Sequence, residues 1–117
     1  MPAPDFLIRQ GDTNVPLAST LEDENGNAVS IQAATVRFHM SPINGSGTPL
    51  LDAAATNGQT GDGSDGSKGH VTYTWQSGDT SVSGWYLAEW QVTYACGAVE
   101  TFPNGGYVLI YITPQVA

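Results

Sequence analysis

Basic residues are nearly missing from this chain: three Lys and Arg stand against eleven Asp and Glu, for a formal net charge of −8 over 117 residues. Three cations cannot build the positive stripe that a phosphate backbone demands, so nucleic acid is excluded as a partner. Cysteine occurs once, as Cys96. No disulfide can form within the chain, and either a reducing compartment or a fold that needs no staple is expected. Long apolar runs are lacking as well. The longest, around Tyr107 to Ile112, is far too short to cross a bilayer, and no membrane partner is expected. The first residues, Met1 to Asp5, lack the cationic and apolar regions of an export signal. Few Leu, Lys and Arg beside abundant Gly and Thr argue against a helical bundle or coiled coil.

What the chain does hold is a foldable share of apolar side chains: 40% hydrophobic, with three Trp and five Tyr. That content argues against disorder. At this mass, folding buries roughly two-thirds of the extended-chain surface, so one real core is attainable in a single domain spanning 1–117.

Alternation supplies the architecture. Val36, Phe38 and Met40 share one face of a segment whose other face carries Thr35, Arg37 and His39. Val71, Tyr73 and Trp75 repeat the pattern, as do Tyr86, Ala88, Trp90, Val92 and Tyr94 against Leu87, Glu89, Gln91 and Thr93. A side-chain period of two is the signature of a strand with one buried face. Further strands are expected at Phe6 to Arg9, Pro49 to Ala55, Val99 to Phe102 and Tyr107 to Thr113, with a short edge strand near Val15 to Thr20 because Pro16 bars a central position. Asn25-Gly26 reads as a type I′ hairpin turn with Ala28 to Gln32 pairing back. Ala95 to Ala98, with Gly97, reads as another tight turn, and Pro103 to Gly106 as the last. Residues 56–69 hold five Gly and no large apolar side chain, and are expected to form a mobile surface loop. Seven or eight short strands at about ten-residue spacing are the cue for an all-β, immunoglobulin-like antiparallel sandwich.

No constellation for chemistry emerges from spacing. Gly-Asp-Thr occurs twice, at Gly11-Asp12-Thr13 and Gly78-Asp79-Thr80; glycine for positive φ and aspartate for a local backbone bond make this turn chemistry rather than a carboxylate pair. Asp62 to Ser67 faintly suggests a calcium loop, but it lacks the alternating acids and terminal Glu of an EF-hand, and Lys68 would repel a cation. His39 and His70 have no His or Cys at metal-ligand spacing, and both read as surface residues. No catalytic residue, cofactor or metal is expected.

Two features stand out from this background. Trp85 is expected to be partly exposed, whereas the other Trp and most Tyr fall on apolar strand faces. The final strand is apolar on both faces: with Val108, Ile110 and Ile112 turned inward, Tyr107, Leu109 and Tyr111 face outward. A strand apolar on both faces is usually covered on both, here either by a loop of the same chain or by a partner.

The ordered set of motifs resembles the immunoglobulin-like N-terminal domain of phage baseplate upper proteins and related tail and neck fibre proteins. The set comprises Phe6-Leu7-Ile8-Arg9-Gln10-Gly11-Asp12-Thr13, Leu21-Glu22-Asp23-Glu24-Asn25-Gly26, Val36-Arg37-Phe38-His39-Met40, Gly69-His70-Val71-Thr72-Tyr73-Thr74-Trp75 with Gly78-Asp79-Thr80, Gly84-Trp85-Tyr86-Leu87-Ala88-Glu89-Trp90 and Thr101-Phe102-Pro103-Asn104. Where the family carries Asp-Gly before the Thr-Phe-Pro segment, this chain has Cys96-Gly97. Family members usually continue into a fibre or receptor-binding region, and this chain ends at Ala117. The resemblance implies a non-enzymatic virion structural protein, assembled in the host cytoplasm. It would act as a docking or decoration domain, oligomeric in the particle, binding portal, adaptor, tail, baseplate or fibre components, or capsid. The alternative expectation is a carbohydrate-binding module that meets host glycans through Trp85.

Overall fold

The alternation in the sequence is expressed directly as burial. A computed structural model of the chain describes residues 3–43 and 51–116. It contains eight strands and, among the described residues, no helix: β1 (Phe6–Arg9), β2 (Leu17–Thr20), β3 (Thr35–Pro42), β4 (Leu51–Asn57), β5 (His70–Tyr73), β6 (Gly84–Thr93), β7 (Val99–Phe102) and β8 (Val108–Thr113). Along β6 each inward side chain (Tyr86, Ala88, Trp90, Val92) is buried and each outward neighbour is half-buried. The loop expected over 44–47 and the first residues of the strand expected over 49–55 lie outside the described residues.

Strand order is β1-β8-β6-β3-β4-β5-β2, with β7 also on β6. The result is an all-β, sandwich-like fold whose two layers meet through β4. That strand pairs with β3 from Leu51 to Ala55, then with β5 at Thr56 and Asn57. One ladder departs from the antiparallel expectation: β1 runs parallel to β8, with Phe6 opposite Ile110 and Arg9 opposite Thr113. A parallel pair needs a long crossover, and here almost the whole chain supplies it. β7 and β8 share β6 end to end: β7 lies along Trp90 to Thr93 and β8 along Gly84 to Ala88. The break between them carries the cis Phe102–Pro103 bond.

Between the layers lies an aromatic core centred on Phe38, which is fully buried. Its ring stacks on Tyr73 of the second layer with centroids 4.7 Å apart, and meets Trp90 of its own layer at 5.0 Å and Trp75 edge-on at 5.8 Å. Trp75 lies past the end of β5, yet it is buried and stacks on Phe6. Aromatic pairs of this kind contribute about 0.5–1.5 kcal/mol each beyond the area they bury.

The two Gly-Asp-Thr tripeptides turn out to grip one another. The Gly11 amide donates to the Thr80 carbonyl (3.0 Å), and the buried Thr80 hydroxyl donates to the Asp12 carbonyl (2.9 Å). Asp12 thus contributes its backbone, and Thr13 is exposed. Asp79 uses its side chain: its Oδ2 accepts from the Tyr73 phenol (2.6 Å) and the Gln76 amide (2.8 Å). Burial, reinforced by that bond, raises the Tyr73 phenol well above the ordinary tyrosine range. Gly78 carries the positive φ (93°) of the turn.

Two turn expectations need correction. Asn25-Gly26 is not the centre of a type I′ turn, because only Gly26 has positive φ (83°). The Gly26 amide donates back to the Asp23 carbonyl, so Glu24 and Asn25 are central, and Asp23 Oδ1 accepts from the Asn25 and Asn27 amides. The segment from Ala28 to Gln32 forms no strand; one bridge, Glu22 to Ala28, remains. The boundary of the 56–69 segment also shifts, since Thr56 and Asn57 belong to β4. The rest of it is fastened by amide side chains. Asn57 Nδ2 donates to the Ile31 and Ala34 carbonyls (2.6 and 2.9 Å), and Gln59 Oε1 accepts from the Ile31 and Gly69 amides (2.8 and 3.1 Å). Gly69 lies so close to Leu21 that an added Cβ would stand 2.7 Å from its carbonyl oxygen. The turn at Gly97 is as expected, with φ 92° and the Gly97 amide bonded to the Tyr94 carbonyl.

The two aspartates of the repeated tripeptide therefore differ in weight. Asp79→Ala, which leaves a buried phenol without its acceptor, is expected to lower unfolding free energy by about 2 kcal/mol. Asp12→Ala is expected to change it by less than about 0.5 kcal/mol. Urea denaturation of the two variants measures both.

Candidate functional site

Because β8 is apolar on both faces, its outward side chains have to go somewhere, and the ladder register decides where. Tyr111 lies opposite Leu7 of β1 on one side and Trp85 of β6 on the other. The Ile43 amide donates to the Trp85 carbonyl (3.0 Å), which continues this row to the end of β3. In the next row Leu109 lies opposite Leu87, which faces Ser41. The outer face of the first layer thus gathers Leu7, Tyr111, Trp85, Ile43, Leu109 and Leu87 into one apolar patch. Leu7 is 60% exposed and Ile43 also exposed; the rest are half-buried.

Trp85 belongs to this patch rather than standing alone. Its ring stacks on Tyr111 with centroids 4.4 Å apart and planes 12° from parallel. Expected to be partly exposed, it is half-buried, with Tyr111 of the neighbouring strand brought against it. Tyr107 falls outside the rows. It precedes β8 and is 59% exposed, beside the turn that contains Pro103. Of the three residues expected to face outward together, the structure unites Leu109 and Tyr111 and leaves Tyr107 at the margin.

Further along the same face the chemistry changes sign. Beyond Leu87 the outward positions of β6 become Glu89, Gln91 and Thr93. His39 is bracketed across the ladder, its Nδ1 3.2 Å from Glu89 Oε2 and its Nε2 3.2 Å from Asp52 Oδ1. A neutral imidazole can donate to one of them, a protonated one to both. Arg37 closes the row with an Nε bond to Asp52 Oδ1 (2.7 Å), which holds the Asp52 carboxyl below the usual range. Spacing does not show this row: His39 and Glu89 are 50 residues apart in sequence, and strand register alone makes them neighbours. The two carboxylates meet different ring nitrogens and do not converge on a point. Among the described residues no group of three or more His, Cys, Asp or Glu is placed to hold a metal ion. Asp62 and Asp65 each accept the amide two residues on, at Ser64 and Ser67. Cys96 is exposed in the turn from β6 to β7.

The site is therefore a face with an apolar half and a charged half. No protein-family model matches the chain, and no curated protein matches it in sequence.

The charged half has a defined acid response. Asp52 is ionised and bonded above its ordinary value near 3.8, and its contribution to stability is lost as pH falls through its lowered value. Arg37→Met is expected to return the Asp52 carboxyl titration, followed by carbon NMR, upward towards 3.8. An unchanged midpoint would show that Arg37 does not set it.

Proposed function

We propose that this chain is a non-enzymatic structural domain of a bacteriophage virion that docks onto other virion proteins through the outer face of its first layer. The partner would be a portal, adaptor, tail, baseplate or fibre component, or capsid, and the domain would act in an oligomeric particle. The single observation that carries this reading is the apolar patch of Leu7, Leu109, Tyr111, Trp85, Leu87 and Ile43, built by register from β1, β8 and β6 and continued by Ile43 just past the end of β3. An apolar patch rimmed by polar residues marks a surface meant for a partner. The mixed rim of Glu89, His39, Asp52 and Arg37 would fix orientation, since charges around an apolar centre select the right partner more than they add affinity. The motif order shared with the immunoglobulin-like domains of phage baseplate upper proteins gives the assignment to a virion its support.

Leu109→Lys places a cation in the patch while leaving the β8 backbone ladder intact. The isolated variant is expected to keep its fold, with a stability loss of about 1 kcal/mol or less, and to be missing from purified particles assembled in its presence. Normal incorporation would refute the docking face. A glycan-binding module would instead rely on the Trp85–Tyr111 stack. Normal incorporation of Leu109→Lys, combined with glycan binding that Trp85→Ala abolishes, would favour that reading.

A further inference from the structure

Asn-Gly occurs four times in this chain, at Asn25-Gly26, Asn44-Gly45, Asn57-Gly58 and Asn104-Gly105. The dipeptide carries its own chemistry. Glycine has no side chain beside its amide nitrogen, so that nitrogen can reach the carboxamide carbon of the asparagine before it. Folding decides which copies react, because the carboxamide and the glycine amide must both leave whatever they are bonded to. Asn57 is half-buried and held on every side. Its Nδ2 donates to the Ile31 and Ala34 carbonyls, its Oδ1 accepts from the Gln59 amide (3.0 Å), and the Gly58 amide donates to the His70 carbonyl (2.8 Å). Asn104 is exposed, but with its nitrogen placed towards Glu100 its carboxamide donates to Glu100 Oε2 (3.3 Å) and to the Thr101 carbonyl (3.0 Å). Asn44 lies outside the described residues. Asn25 differs from Asn57 and Asn104. It and Gly26 are exposed, and its carboxamide has no hydrogen-bond partner among the described residues; only its backbone amide is bonded, to Asp23 Oδ1. The one bond to be given up is that from the Gly26 amide to the Asp23 carbonyl (3.0 Å).

We propose that Asn25 is a site of spontaneous covalent modification, at which the folded chain converts an asparagine to aspartate and isoaspartate. The Gly26 nitrogen gives its proton to solvent base and attacks Cγ of Asn25. The new N–Cγ bond closes a succinimide ring, and the carboxamide nitrogen takes up a proton and leaves as ammonia. Water then opens the ring. Cleavage of the N–Cγ bond gives aspartate. Cleavage between that nitrogen and the Asn25 carbonyl carbon gives isoaspartate, with the main chain running through Cγ. Water is the only co-reactant, and nothing is oxidised or reduced. Either product adds a carboxylate to a turn that already carries Glu22, Asp23 and Glu24. Isoaspartate also adds a backbone carbon to the ring that the Gly26-to-Asp23 bond closes. Neither Asn25 nor Gly26 belongs to the outer face, so the proposal is independent of the docking reading.

The test follows the whole chain in warm, mildly alkaline buffer, once folded and once unfolded in guanidinium chloride. Cleavage after Arg9, Arg37 and Lys68 places Asn25, Asn57 and Asn104 on three separate fragments. Fragment-ion mass spectrometry then locates each converted residue and separates isoaspartate from aspartate. The reading is the rate at each site in the folded chain as a fraction of its rate in the unfolded chain. Asn25 is expected to convert within about fivefold of its unfolded rate, since a single exposed bond opposes it. The fraction for Asn57 is expected to be at least about tenfold below that for Asn25, since four bonds must break there. Asn104 is expected to fall between the two. The variant Asn25→Gln should show no conversion at position 25. A folded-state fraction for Asn25 no greater than that for Asn57 or for Asn104 would overturn the proposal, as would a folded chain whose Asn25 stays intact while the unfolded chain converts.

Discussion

The Phe38 ring is the contact on which the two layers depend. It is presented by β3, stacks on Tyr73 of the opposite layer and touches both Trp75 and Trp90. Interiors are packed as densely as organic crystals, so a flat ring at this point fixes the separation and the angle of the layers together. Removing it would cost about 3–5 kcal/mol, the usual figure for a buried Phe→Ala change. That is a large part of the stability of a domain this size. Because β3 and β6 are pinned from inside by Phe38 and Trp90, their outward positions are free to carry something other than core. The apolar patch and the charged row are what those positions carry.

The acidic composition has a more local meaning than net charge suggests. Asp5, Asp23, Asp62, Asp65 and Asp79 each accept a hydrogen bond from a backbone amide, at Leu109, Asn25, Ser64, Ser67 and Gln76 respectively. Short carboxylates are turn builders first, and in a chain with so many turns they accumulate. Carboxylates of one sign also oppose edge-to-edge pairing in general, and β1 and β2 end the strand order among the described residues. Among the described residues the carboxylates of Glu22 and Glu24 accept no such bond, and Glu22 joins the turn only through its backbone bridge to Ala28. They project from the turn that Asp23 organises, which places them along the cleft beside the turn from Phe102 to Gly105.

Much of the fold was legible because burial follows a period of two. The strands at Thr35, His70 and Tyr86, the inward set on β6, and the all-β class follow from that alternation. Less legible was anything that depends on which strand lies beside which. The parallel β1–β8 ladder, the meeting of Trp85 with Tyr111, and the Glu89–His39–Asp52 row arise from register between distant segments. No local pattern encodes them. The repeated tripeptide was readable as turn chemistry, but its mutual grip through Thr80 and Asp12 was not. Ala33, held at φ 62°, and the amides of Asn57 and Gln59, which tie down the segment after β4, carry no sequence signal at all. The outward Leu109 and Tyr111 were legible as an anomaly, because a strand apolar on both faces conflicts with one-sided burial.

The central claim is that the outer patch is covered in the assembled particle. Hydroxyl-radical footprinting, read residue by residue on the free domain and on domain bound in particles, addresses it directly. The account expects Trp85, Tyr111 and Leu7 to react in the free domain and to be protected severalfold in the particle, while Val116, which is 92% exposed in the free chain, keeps its reactivity. Equal modification of Trp85, Tyr111 and Leu7 in the two states would contradict it.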